Sequence, residues 1–206
     1  VRYPLEDMPM PDFSDLPIEM YQNRYLDIPG YSIQLPYQIY NGCASRCNFC
    51  TRAYLNNKLD FKSHDKVIKE LVQMKKIYKS NIFYFCDDTI NNSYEYLEGL
   101  CDLFIKNRFS ITWRASAKIG NLDKHILEKM KKAGCYWITL GLESGSDRIL
   151  EMMNKSFTSE QASKTLRDVS ESGIINHIYL IAGYPYETQE DIMQTSRFLR
   201  KNRKYI

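Results

Sequence analysis

The 206-residue chain is 44% hydrophobic and 26% charged, an ordinary balance for a soluble protein with a buried core, and its net charge of +3 is too small to indicate nucleic acid as a partner. No apolar run approaches the roughly 20 residues of a membrane span, and no basic-then-apolar leader opens the chain. With six cysteines and no export signal, the thiols are expected to be reduced, as in a cytoplasmic protein, rather than paired in disulfides.

Four of the seven prolines (Pro4, Pro9, Pro11, Pro17) crowd the N-terminal stretch. Each fixes φ and lacks a backbone donor, so residues 1–30 read as an extended linker arm, with a short helix near IEMYQNRYL. From residue 31 to residue 206 the pattern alternates. Strand-like runs SIQLPYQIY, NIFYFC, SITWRA, YWITLGL and HIYLIAG are separated by amphipathic helical stretches. The first of these, HDKVIKELVQMKKIYK, predicts a buried stripe of Val67, Ile68, Leu71, Val72 and Ile77, with Ser63 as N-cap. Further on, Thr158 with Gln161 forms a capping box, Gly134 and Gly173 stand where helices need a left-handed stop, and Thr188 opens the last helix. The C-terminal RFLRKNRKYI alternates basic and apolar residues as a solvated helix face does.

Strand–helix alternation repeated five times predicts an α/β fold with a parallel sheet and helices outside it. Such sheets keep their chemistry in the loops at the carboxyl ends of the strands. The chain begins at Val1 and stops at Ile206 within a helical pattern, so it reads as a piece of a longer polypeptide.

The first such loop is NGCASRCNFCTR, which sets Cys43, Cys47 and Cys50 at C-x3-C-x2-C. Three convergent thiolates without a fourth suit an iron–sulfur cluster with one open iron. Structural zinc wants a closed set of four ligands, and Cys86, Cys101 and Cys135 form no second pair; His64 is a conceivable fourth ligand but reads as part of a helix start. The second loop, FCDDTINN, offers adjacent carboxylates at Asp87 and Asp88 that could accept from an ammonium group, with Thr89 or Asn92 available as a helix cap. The third places Arg114 and Ser116 near the mouth, with Arg114 a candidate partner of Asp88. The fourth ends in Glu143, and an acid directly after a strand can accept from two vicinal hydroxyls.

Cys43, Cys47 and Cys50, with Phe49 before the last, resemble the signature of the radical S-adenosylmethionine enzymes. The resemblance implies a partial (β/α)6-type TIM-like barrel over residues 31–206, with about five βα units present and the sixth missing. It implies a [4Fe–4S] cluster on Cys43, Cys47 and Cys50, and S-adenosylmethionine held by Phe49, Asp87, Asp88, Thr89, Arg114, Ser116, Glu143, Ser144, Lys155, Ile181 and Gly183. Within that set Glu143 and Ser144 would hold the ribose, Lys155 of MNKSFT would face the methionine carboxylate, and Ile181 would pack on the adenine while Gly183 lets the backbone approach. The implied reaction is one-electron cleavage of S-adenosylmethionine to a 5′-deoxyadenosyl radical, which takes hydrogen from a small-molecule or peptide substrate. A reductase such as flavodoxin or ferredoxin would supply the electron, and oxygen sensitivity would follow. The arm PMPDFSDLPIEMY resembles the connector of the cobalamin-linked branch, which implies cobalamin bound by a domain outside this chain, and methylation or natural-product modification as the outcome. Methylthiolation of tRNA or protein, and a noncatalytic zinc-binding scaffold, are the alternatives.

Overall fold

The computed structural model describes residues 3–20, 33–52 and 58–206. In chain order the elements begin with β1 (Leu35–Tyr37), β2 (Tyr40–Asn41), β3 (Asp60–Phe61), α1 (His64–Tyr78), β4 (Ile82–Phe85) and α2 (Tyr94–Lys106). They continue with β5 (Thr112–Ala117), α3 (Lys124–Lys132), β6 (Cys135–Glu143), α4 (Asp147–Met152), α5 (Ser159–Glu171), β7 (Ile175–Leu180) and α6 (Gln189–Asn202).

Five strands form one parallel sheet in the order β1-β4-β5-β6-β7, and β2 pairs with β3 in a separate antiparallel ribbon. Each strand of the main sheet therefore lies beside the next one in sequence, the order of a TIM-like barrel. The expected partial barrel is present, and among the described residues β1 and β7 do not pair to close it.

Period-two alternation decides which side of each strand meets the helices. On β5, Trp113, Ala115 and Ala117 are buried, while Thr112, Arg114 and Ser116 face the other side, the concave inner face. Trp113 is 1% exposed, stacks 5.1 Å from Phe85, and donates through its Nε1 to the Ala133 carbonyl at 2.8 Å.

The caps follow the sequence. Ser63 accepts from the Lys66 amide, Thr158 and Gln161 form a capping box, and Thr188 does the same with Asp191. Gly134 and Gly173 take φ of 94° and 76° beyond α3 and α5. Ser93, rather than Thr89 or Asn92, caps α2 by accepting from the Tyr96 amide. The buried stripe of α1 also differs from expectation. Val67, Leu71 and Met74 are inside, whereas Val72 and Ile77 are exposed, because a turn of 3.6 residues carries those two round to solvent.

The N-terminal arm lies on this first unit. Leu5 is buried and donates its amide to Asp60 at 2.9 Å, Glu6 accepts from both the amide and the hydroxyl of Ser63, and the Phe13 amide meets the Tyr78 hydroxyl at 2.7 Å. Ile18–Met20 form a 3-10 turn; the rest of the helix expected over IEMYQNRYL, and the boundary expected at residues 30 and 31, lie outside the described residues. No described helix is long and apolar enough to cross a membrane.

Candidate functional site

The carboxyl ends of the strands enclose a cavity of about 200 Å³. Its wall includes Cys43, Cys47, Phe49 and Cys50 from the cysteine loop, Asp88 and Thr89 after β4, Ser116 of β5, Glu143 of β6, and Lys155. Nine residues expected from sequence thus meet in one place although they come from five separate segments of the chain. A larger surface groove of about 510 Å³ lies elsewhere, against α5 and α6, and contains none of the expected site residues.

The three thiols are half-buried, and none of the six cysteines is in a disulfide. Burial raises the pKa of the Cys47 thiol, with the Lys155 ammonium acting in the opposite direction. Among the described residues no three His, Cys, Asp or Glu side chains converge as a ready-made site for a metal ion. The donors are nevertheless soft sulfur, they stand around a shared cavity, and a cation lies beside one of them, so their chemistry fits an iron–sulfur cluster.

Beside Cys47, Lys155 donates from Nζ to Glu143 Oε1 at 3.2 Å and to the Gly141 carbonyl at 3.1 Å, and it stands 5.5 Å from the Phe49 ring centre. Glu143 ends β6 with φ of 68°, a left-handed conformation that costs a side-chain-bearing residue energy and turns its carboxylate into the cavity. Gly141 makes room for this pair, since a Cβ there would lie 2.8 Å from Glu143 Oε1 and 3.4 Å from Lys155 Nζ. Asp88 carries a second pair, accepting from Arg52 Nε at 2.9 Å.

Five expected residues do not line the cavity. Asp87 is fully buried and turned under the cysteine loop, where Oδ1 accepts from the amides of Ile39 at 3.0 Å and Tyr40 at 2.8 Å. Arg114 does not pair with Asp88; it lies lower on the inner face, bonded to Gln34 at 2.9 Å and stacked 4.2 Å from the Tyr84 ring centre. Two residues along a strand separate it from Ser116, a step of roughly 7 Å that keeps it from the cavity wall. Ser144 is buried, with Oγ 3.2 Å from the Thr195 hydroxyl and accepting from the Ser146 amide, because the chain has turned towards α6 by that point. The Ile181 amide donates to the Glu143 carbonyl at 2.9 Å, and the Gly183 amide, at φ of 79°, donates to Glu187; neither residue lines the cavity.

Arg52, Lys118 and Thr139 line the cavity without having been singled out in the sequence. Lys118 and Thr139 had a signal, since each continues the inward phase of its strand. Arg52 had none, because its role depends on Asp88 approaching from a different loop.

Among the described residues Asp87 Oδ2 has no partner, and burial pushes its pKa up to about 7. Unfolded, the same carboxyl titrates near ~3.9. Between those values the folded chain holds a proton that the unfolded chain has lost, so stability falls as pH rises through this window and levels off above it. Asp87→Asn keeps the Oδ1 acceptor and cannot ionise. It is expected to flatten a slope on the order of 1 kcal/mol per pH unit in urea titrations between about pH 5 and about pH 7. An identical slope in the variant would assign the dependence to another group.

The sequence profile of the radical SAM superfamily matches residues 37–199. The chain is 26% identical over 199 residues to an uncharacterised methyltransferase from Pyrococcus horikoshii, covering 96% of this chain and 42% of that protein. Among solved structures, the methyltransferase TsrM from Kitasatospora setae, with cobalamin and a [4Fe–4S] cluster bound, superposes with a TM-score of 0.75 at 16% identity, over 88% of this chain and 38% of that one. The cobalamin-dependent radical enzyme OxsB, with aqua-cobalamin and S-adenosylmethionine bound, gives 0.72 at 24% identity, over 81% of this chain and 26% of that one. Methylthiotransferases are also among the relatives. The chain thus spans less than half the length of these proteins.

Proposed function

Because the chain belongs to the radical SAM superfamily, a family of enzymes that bind a [4Fe–4S] cluster and S-adenosylmethionine, we propose that it is the cofactor-cleaving core of a larger enzyme. The observation that carries this reading is the meeting of three thiols and two cation–carboxylate pairs on one cavity wall. Cys43, Cys47 and Cys50 would hold three irons of the cluster. Together the cluster and S-adenosylmethionine supply a one-electron cleavage that yields methionine and a 5′-deoxyadenosyl radical.

This chain's own part is to bind and orient. The methionine end of the cofactor carries one ammonium and one carboxylate, and the cavity offers both signs of charge, Asp88 with Arg52 and Glu143 with Lys155. Asp88 suits the ammonium, with Thr89 and Ser116 as neighbouring hydroxyls, and Lys155 suits the carboxylate. Glu143 suits a pair of ribose hydroxyls, and Phe49 shields the Lys155 side of the cavity. Fixed charges in a site sheltered from water act over short distances with little reorganisation, and holding the reacting bond in place is the main contribution such a protein makes. Ile181 and Gly183 would join this set if the adenine extends along the end of β7.

The downstream reaction proposed is cobalamin-dependent methylation or related modification of a small molecule or peptide. It would take place in the cytoplasm, with flavodoxin or ferredoxin as electron donor and cobalamin on a domain outside this chain. The cobalamin-bound structural neighbours and the methyltransferase relative support this direction; the methylthiotransferase relatives support the second one, sulfur-linked methyl transfer. The zinc-scaffold alternative would need a fourth ligand beside the three cysteines.

Anaerobic reconstitution with iron and sulfide is the test. The expected product is a brown protein that binds close to four irons and, with reductant, converts S-adenosylmethionine to 5′-deoxyadenosine and methionine. A colourless protein that retains tightly bound zinc and forms no 5′-deoxyadenosine would defeat the reading.

A further inference from the structure

Helix α4 ends in a Schellman turn, with the Asn154 amide donating to the Glu151 carbonyl and the Lys155 amide to the Leu150 carbonyl, both at 2.9 Å. Asn154 holds the left-handed position of that turn at φ of 57°. Glycine fills such a position without strain, and asparagine is among the few other residues that tolerate it. A side chain here therefore needs a reason. Asn154 Nδ2 donates to the Arg46 carbonyl at 2.6 Å, one residue before Cys47.

One residue after Cys47, Asn48 reaches back to the same helix end. Its amide donates to the Met153 carbonyl at 3.0 Å and its Nδ2 to the Met152 carbonyl at 2.7 Å. These are carbonyls that a helix terminus leaves without an intrahelical partner. The cysteine loop thus satisfies the end of α4, and the end of α4 holds the loop on both sides of Cys47. The residue after Asn154 is Lys155, whose ammonium faces the cavity.

We infer that Asn154 is a positioning residue, which with Asn48 fastens the Cys47 bend to the segment carrying Lys155 so that the central thiol and the cavity cation are set as one unit. The inference rests on the reading of Cys47 as a cluster ligand. It assigns a role to the asparagine of MNKSFT that the cofactor contacts leave unused.

The test begins with the cluster-free chain. Asn154→Gly preserves the left-handed turn and removes the side chain that bonds the Arg46 carbonyl; Asn48→Ala removes the opposing Nδ2 bond. Alkylation of each cysteine by iodoacetamide is followed by peptide mass spectrometry as a pH–rate profile, which separates access from a change in thiol ionisation. Each variant is expected to alkylate Cys47 about fivefold faster at the plateau, the population change that loss of one hydrogen bond carries, while Cys86 serves as the unaffected comparator. In the reconstituted protein the reduced cluster's EPR spectrum is expected to shift, and a chelator to strip the cluster about tenfold faster. Unchanged Cys47 rates in both variants, or equal acceleration at Cys47 and Cys86, would overturn the inference. A cluster that never forms in the unmodified chain, alongside responsive Cys47 rates, would instead remove the functional reading and leave the fastening in place.

Discussion

Replacing Cys47 with alanine is expected to reduce both cluster content and 5′-deoxyadenosine formation to background. Changes behind a metal ligand commonly cost about 10- to 100-fold in affinity, and loss of the ligand itself should exceed that. Cys47 is half-buried and lies in a loop, so deleting its sulfur should leave the unfolding transition of the cluster-free chain nearly unmoved. The control is Cys101→Ala. Cys101 is 1% exposed on α2 within the core, and its thiol is pushed up to about 12 by burial, a setting for packing rather than ligation. That variant should lose stability and keep the cluster. Iron analysis and product chromatography on both decide the matter: cleavage surviving in Cys47→Ala would show that the ligand set is wrong.

Glu70→Ala is expected to be strongly destabilising although it lies away from the cavity, at about 3–5 kcal/mol. Glu70 is 5% exposed on α1 and accepts from Lys62 Nζ and the Tyr37 hydroxyl, both at 2.7 Å, and from Lys66 at 3.0 Å. Burial alone would raise its pKa, but the hydrogen bonds from Lys62, Tyr37 and Lys66 hold it below the usual range. Truncation would leave the Lys62 ammonium, itself 3% exposed, without a counter-charge and the Tyr37 hydroxyl without an acceptor. The triple variant Tyr37→Phe, Lys62→Met and Glu70→Leu, which removes the hydroxyl along with both charges, should recover most of the loss, because apolar replacement of a buried pair is often near neutral. Urea titrations at constant m-value measure both. A loss below about 1 kcal/mol in Glu70→Ala would mean that water reaches this pair and pays its solvation.

The frame was legible because its signals are local. The strand expected on SITWRA appears two residues further on, over TWRASA, while capping at Ser63, Thr158 and Thr188 and the left-handed glycines at 134 and 173 appear where the sequence indicated, all of them set within a few residues. The β2–β3 ribbon was not legible, since Tyr40 meets Phe61 across the whole cysteine loop and two-residue strands carry no period. The three cysteines, Phe49, Asp88, Glu143 and Lys155 line one cavity, brought there by backbone position alone. Asp87, Arg114 and Ser144 sit next to or near those positions in sequence, yet their side chains are claimed by amides of Ile39 and Tyr40, by Gln34 and Tyr84, and by Thr195. Which of two neighbouring polar residues turns outward depends on partners from distant segments, and no local pattern reports it.

The order of strands in the sheet has a consequence for how the molecule comes into being. Since every strand lies beside the one made just before it, no part of the sheet has to wait for a distant stretch of chain, and contacts of short sequence separation favour rapid folding. Assembly can keep pace with synthesis, one unit laid against the last. The three thiols belong to the first unit and Glu143 and Lys155 to the fourth, so the proposed inorganic site would be begun early in translation and completed only when most of the domain has been made.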